Sequence, residues 1–150
     1  MNNKLAFLVL AIVFVAGCST LPEEGFFSVP PHGSCKGESA CYFDNVTAIV
    51  DGDTIETVRG SIRLALVDAP EYDETGGREA RDFVLGICPV GSNVIVDGDD
   101  MQNESYGRTV AVVYCNDKNL NAEMLANNYA TLYRYYCDRS EFAGEEWAGC

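Results

Sequence analysis

Three stretches of this chain carry side chains suited to chemistry on a phosphate ester: Asp51-Gly52-Asp53-Thr54, Arg63-Leu64-Ala65-Leu66-Val67-Asp68-Ala69-Pro70-Glu71 and Tyr106-Gly107-Arg108. Together they supply carboxylates for a hard cation, a further carboxylate to take a proton from water, and two arginines for charge developing at phosphorus. Metal-assisted hydrolysis of a phosphodiester requires that set. Each stretch alone has a plainer reading. Asp51-Gly52-Asp53 is also what an ordinary Asp-Gly turn looks like. Arg63, Asp68 and Glu71 are also what a strand-end ion pair with a solvated glutamate looks like. The letters recur at Asp97-Gly98-Asp99-Asp100, which reads as a loop. Neither copy is an EF-hand, because the twelfth position is Ile62 or Arg108 rather than a bidentate Glu.

The elements that must position these residues follow from the patterning. Residues 45–50, 54–58 and 61–67 read as strands, the last two joined by the tight turn Arg59-Gly60. Alternation sends Arg63 to the face opposite Ile62 and Leu64, and the strand delivers Asp68 at its end, with Pro70 stiffening the approach to Glu71. Residues 77–87 read as a helix, with Ala80, Phe83, Val84 and Ile87 at spacings of three and four and Pro89 as its stop. Strand character returns at 93–97 and 109–114. Helical character returns at 121–130, and at 140–147 with Ser140 as N-cap. Five short strands with interspersed helices suggest a small Greek-key barrel of the oligonucleotide/oligosaccharide-binding (OB) type, and other α+β sheets fit the pattern too.

Lys4 precedes an apolar run at 5–15 that is too short to span a bilayer comfortably, so it reads as an export signal. The run ends in Val15-Ala16-Gly17-Cys18, which resembles a prokaryotic lipobox. Residues 1–17 are then a lipoprotein-type signal, Cys18 the lipidated N-terminus, 18–40 a tether and 41–150 the folded domain. A lipid on Cys18 would hold that domain against a membrane outside the cytoplasm. A plain export signal or an uncleaved anchor is the alternative.

Six cysteines remain, an even number in an exported chain, which favours disulfides. There is no Cys-x-x-Cys, and His32 is the sole histidine, which argues against zinc. Pairing strand 93–97 with 109–114 brings Cys115 opposite the residues just after Cys88, so Cys88–Cys115 is the first pairing. Cys137–Cys150 and Cys35–Cys41 follow by elimination. The formal charge is −13, which repels nucleic acid at long range and leaves phosphate binding to a local site.

The order Asp-Gly-Asp-Thr, Arg-Leu-x-Leu-Val-Asp-x-Pro-Glu, Tyr-Gly-Arg, followed by Leu120-Asn121-x-x-Met124-Leu125, resembles the staphylococcal (micrococcal) nuclease family over residues 42–147. The resemblance implies a fold that is α+β by content and mainly β: a five-stranded OB barrel with about three helices. It also implies a calcium-dependent phosphodiesterase acting on DNA, RNA or both. By position, Asp53, Asp68 and the backbone carbonyl of Ala69 resemble the family's calcium ligands, with Asp51 in support. Glu71 resembles the general base, Arg63 and Arg108 the phosphate-gripping arginines, and Tyr106 a nucleotide-contacting residue.

The chain departs from the family at Ala69, where threonine is common, and in its short loops. Its basic residues are also few: Lys36 and Lys118 are the only lysines beyond the signal. Weak, strongly salt-dependent substrate binding follows. Tyr133, Arg134, Tyr135 and Tyr136 offer rings either for base stacking or for packing. The expectation is a monomeric, membrane-tethered calcium-dependent nuclease. The competing reading is a weakly active or inactive OB domain that binds nucleic acid, another polyanion or a protein.

Overall fold

A computed structural model of the chain describes residues 35–102 and 104–150, with Glu104 described in its backbone only. The signal at 1–17, the lipidated Cys18 and the tether as far as residue 34 lie outside the described residues. The regular elements of residues 41–150 are mostly strand. In chain order these are β1 (Cys41–Ile49), β2 (Thr54–Thr57), β3 (Ser61–Leu64), β4 (Val67–Asp68), helix α1 (Gly77–Ile87), β5 (Asn93–Gly98), β6 (Glu104–Ser105), β7 (Arg108–Cys115), β8 (Lys118–Asn119), helix α2 (Leu120–Ala126) and β9 (Thr131–Leu132). Short 3₁₀ turns follow at Arg134–Tyr136 and Glu141–Gly144.

The sheet runs β3-β2-β1-β5-β7, and a parallel pairing of β3 with β7 closes it into a five-stranded Greek-key barrel. This is the OB architecture, mainly β with few helices. β1 serves both halves, pairing with β2 at one end and β5 at the other. Its register shifts between Val46 and Ala48, a bulge that turns the strand between its two partners.

The barrel interior is filled by Val46, Ile49, Ile55, Ile62, Leu64, Val94, Val96, Ala111 and Val113. α1 adds Ala80 and Val84, and α2 adds Leu120 and Met124. A second, smaller core lies on the other face of β7, where Val110 and Val112 meet Ala65, Leu66, Phe142 and Ala148. Among the described residues no helix is long and apolar enough to cross a membrane.

Three local departures from the sequence pattern matter for the site. The strand expected over 61–67 breaks at Ala65–Leu66, where Leu66 takes φ +62°. The fully buried Asn121 makes the break possible: its amide donates to the carbonyls of Ala65 (2.9 Å) and Ala111 (3.2 Å), and its oxygen accepts from the Val113 amide at 3.1 Å. The helix expected over 121–130 is shorter. Asn119 caps it through Ala122 N–H at 3.0 Å, and it stops at Ala126, because Asn128 at φ +60° turns the chain so that β9 can pair with β4. The helix expected at 140–147 is a 3₁₀ turn, with Ser140 capping it as anticipated.

All three disulfides form as expected: Cys88–Cys115, Cys137–Cys150 and Cys35–Cys41. Residues 35–40, assigned to the tether from sequence, lie against the barrel. The Lys36 amide donates to Asp97, the Glu38 amide to Asp100, and the Gly98 amide to the Ala40 carbonyl.

Candidate active site

The turn after β1 is shaped by its own carboxylates. Asp51 Oδ1 accepts from the Asp53 amide at 3.0 Å, which folds the chain tightly at Gly52. Only glycine fits there, since a Cβ would sit 2.7 Å from Ala69 Cβ and 2.8 Å from Ala80 Cβ. That close approach brings Asp53, itself buried, onto the segment that leaves β4. Asp53 Oδ2 accepts from the Ala69 amide at 2.7 Å, so the Asp-Gly-Asp turn and the Asp68-Ala69 segment are locked together.

Arg63 stands on β3 beside them, opposite Thr54 on β2 and Val110 on β7. Its Nη1 is ion-paired to Asp53 Oδ1 and its Nη2 lies 3.6 Å from Asp68 Oδ1. Burial, and then repulsion from Arg108, push the Arg63 guanidinium below the usual arginine range, while Asp51, Asp68 and Glu71 pull it back. Arg108 opens β7. Its Nε donates to the Ser105 carbonyl (3.2 Å) and its Nη1 to Thr54 Oγ1 (3.4 Å), while Thr54 Oγ1 donates to Asp53 Oδ1 (3.2 Å). Thr54 therefore couples the second arginine to the buried carboxylate. It is the last residue of the Asp-Gly-Asp-Thr motif. The signal was its place at the first position of β2, directly after Asp53.

Glu71 is exposed, but its backbone is pinned. Its amide donates to Glu74 Oε2 (3.1 Å), its carbonyl accepts from the Glu74 amide (2.9 Å), and Gly77 at the start of α1 leaves no room for a Cβ against that carbonyl. A fixed backbone thus presents a solvated carboxylate. Tyr106 and Gly107, at φ +53° and +78°, make the two-residue turn between β6 and β7, which leaves the Tyr106 ring 97% exposed.

These residues share one cleft of about 220 Å³, lined by Asp53, Arg63, Asp68, Glu71, Tyr106 and Arg108 together with Gln102, Ser105, Tyr133 and Tyr136. Asp51 stays behind it. Neither Asp51 nor Glu71 joins Asp53 and Asp68 in a trio of carboxylate oxygens mutually within 4.8 Å. Of the tyrosine cluster, Tyr133 and Tyr136 face the cleft and meet edge to face at 4.7 Å. Tyr135 lies outside the cleft under Arg139. Gln102 and Ser105 had no sequence signal.

The donor set suits a hard cation, because Asp53, Asp68 and the Ala69 carbonyl offer only oxygen. Asp51, Asp53, Asp68 and Glu71 set against Arg63 and Arg108 leave two formal negative charges uncompensated, the charge a divalent cation brings. The Arg63 guanidinium between Asp53 and Asp68 shows that the pair accommodates positive charge.

A closed OB barrel carrying an acid-and-arginine cleft on this scaffold defines a nuclease-like domain. A family profile described as Staphylococcal nuclease homologue matches residues 61–146, and the chain belongs to that family. It is 33% identical over 124 residues to a micrococcal nuclease of Shigella flexneri, a match covering 73% of this chain and 64% of that protein. It is 33% identical over 104 residues to a protein ParB of Escherichia coli (61% and 57%), and 35% identical over 96 residues to an uncharacterized endonuclease of Escherichia coli O157:H7 (61% and 61%). The chain thus spans about 60% of the length of these three relatives.

Proposed function

We propose that this chain is a calcium-dependent nuclease that hydrolyses phosphodiester bonds of DNA, RNA or both, acting as a monomer outside the cytoplasm and tethered through a lipid on Cys18. The observation that carries the reading is the convergence of Asp53, Arg63, Asp68, Glu71 and Arg108, from separate stretches of sequence, on one cleft. Its relatives include nucleases by name.

Calcium held by Asp53, Asp68 and the Ala69 carbonyl would supply positive charge to a non-bridging phosphate oxygen. Glu71, solvated on a pinned backbone, takes a proton from water as the water oxygen attacks phosphorus; the ester P–O bond opposite breaks and the leaving alkoxide takes a proton from solvent. Arg108, braced by Ser105 and Thr54, and the remaining N–H donors of Arg63 stabilise the charge that spreads over the equatorial oxygens. Tyr106 and Tyr133 flank the cleft where a base or sugar would lie. Both lysines of the described chain are engaged elsewhere, Lys36 with Glu145 at 2.5 Å and Lys118 with Glu123 at 3.0 Å, so the phosphate grip falls to arginines.

The test is incubation of the purified chain with single-stranded DNA and with RNA at low salt, with calcium or with a chelator. Cleavage that chelation abolishes is expected. Intact substrate under every condition would leave the competing reading, a domain that binds without cutting. For the tether, Cys18→Ala should release the protein from the membrane fraction, and unchanged fractionation would remove the lipid anchor.

A further inference from the structure

Two grooves adjoin the cleft, and their linings differ in charge. One, bounded by the segment after α2, shares Asp68 and Glu71 with the cleft and adds Asp73 and Glu74. Those carboxylates repel the phosphates of any strand leaving the cleft on that side. The other groove, of about 530 Å³, shares Arg108 with the cleft and continues along Gly107 and Thr109 to Tyr42 and the strap residue Ser39. Among the described residues no carboxylate lines it, which sets it apart on a chain of formal charge −13. The second Asp-Gly-Asp copy, expected as a loop, ends β5 instead, and its Gly98 walls this groove without a side chain. At Gly107 an added Cβ would meet nothing within 4 Å, so the crossing from cleft to groove is open.

The Arg59-Gly60 turn, which the cleft does not use, places a cation at the groove's edge. Thr57 and Gly60 exchange main-chain hydrogen bonds of 2.9 and 3.3 Å, and the Thr57 hydroxyl donates to the Gly60 carbonyl at 2.8 Å. The hairpin tip is therefore braced. Asp44 on β1 spends one carboxylate oxygen on the Arg59 amide (3.2 Å) and the other on the Asn45 amide (2.8 Å). The Arg59 guanidinium lies over the ring of Tyr42, 4.4 Å from its centroid, and Tyr42 lines the groove. Stacking fixes the plane of the fork and leaves its N–H edges outward. Arg63, Arg81 and Arg139 each meet an aspartate, whereas Arg59 and Arg108 form no ion pair among the described residues. Two uncommitted arginines thus flank one acid-free groove.

Resting on the nuclease reading, we propose that this groove is a second nucleotide subsite, in which Arg59 takes the phosphate of a nucleotide flanking the one cut. A single strand whose scissile phosphate lies at Arg63 and Arg108 crosses Gly107 and runs toward Tyr42, away from the acidic groove. Tyr42 is a positioning residue, acting through the guanidinium it holds. The subsite adds grip to a polymer and no chemistry, so it acts on binding rather than on the catalytic step.

The experiment measures binding of single-stranded DNA of about 12 nucleotides, a length within the reach of an OB fold, across a salt series in calcium. The full chain carries Glu71→Gln so that the strand stays whole. Adding Arg59→Gln should weaken binding about 3- to 10-fold at low salt and lower the slope of log affinity against log salt by about 0.7, one phosphate contact on a single strand. Arg59→Lys should keep most of that slope. Arg139→Gln, an equal loss of charge outside the cleft, should change neither quantity. With Glu71 intact, Arg59→Gln should raise KM for the strand at unchanged kcat and leave hydrolysis of a thymidine dinucleotide as it was. Wild-type binding and slope in Arg59→Gln overturn the proposal, as does an equal loss in Arg139→Gln or an equal loss on the dinucleotide. If the chain with Glu71 intact cuts nothing, the nuclease reading falls, while the binding comparison still decides the subsite.

Discussion

The chain uses Asp-Gly-Asp twice at strand ends, and the two copies are solved differently. At 51–53 the buried carboxylate of Asp53 meets a guanidinium, a main-chain amide and a hydroxyl, and the glycine is wedged against Ala69 and Ala80. At 97–99 both aspartates are fully buried, no cationic side chain among the described residues forms an ion pair with them, and a Cβ added at the glycine would meet its nearest foreign atom at 3.3 Å, the Ala40 carbonyl oxygen. The letters are identical, and the partners decide their chemistry. In the first copy, charge is organised toward an open cleft. In the second it is sealed under Phe142 and the strap at 35–40.

The contrast is broken most forcefully at Arg63. Arg63→Met removes the cation from a buried carboxylate and should cost about 3–5 kcal/mol in chelator, with added calcium restoring part of it. Chemical denaturation reads this, and a cost no greater than that of a surface substitution would erase the difference between the copies.

The second copy should show the opposite behaviour. Burial, followed by repulsion from Glu141, Asp100 and Asp99, pushes Asp97 up to about 6, against the hydrogen bond from the Lys36 amide. A raised carboxyl is stabilising when protonated, so its contribution is complete below the unfolded value and is lost as pH rises through about 6. In chelator the wild type should therefore lose up to about 3 kcal/mol relative to Asp97→Asn between pH 4 and pH 7. Parallel stability curves would contradict it.

The glycines sharpen the comparison with a smaller effect. Gly52→Ala should cost about 1–3 kcal/mol by overpacking against Ala69 and Ala80. Gly98→Ala should change stability by less than about 1 kcal/mol. Equal costs would mean that the first turn is not wedged.

The sequence made the cleft legible because order and spacing bring Asp53, Arg63, Asp68, Glu71 and Arg108 to adjoining strand ends once the barrel closes. The Cys88–Cys115 bridge was legible for a similar reason, since the register sets Cys115 opposite Val94 in the hairpin of β5 and β7. What escaped were features fixed by tertiary partners. The break at Ala65–Leu66 depends on Asn121, 56 residues away, accepting the role of a missing strand. The early stop of α2 depends on Asn128 entering a left-handed conformation so that Thr131 can reach Asp68. The burial of Asp97 and Asp99 depends on the 3₁₀ turn at Glu141–Gly144 and the strap at 35–40 folding over them, and local polarity argues the other way. The tyrosine run could not be divided by spacing either: only the turn at Arg134–Tyr136 decides that Tyr133 and Tyr136 face the cleft and Tyr135 does not.

Glu71 is solvated, forms no ion pair among the described residues and contributes little to packing. The decisive measurement is the single-turnover cleavage rate of Glu71→Gln on single-stranded DNA with saturating calcium, beside its thermal unfolding and its calcium binding. The account predicts a rate about 10²- to 10⁴-fold lower with stability and bound calcium unchanged. A Glu71→Gln enzyme that cuts at the wild-type rate would contradict it.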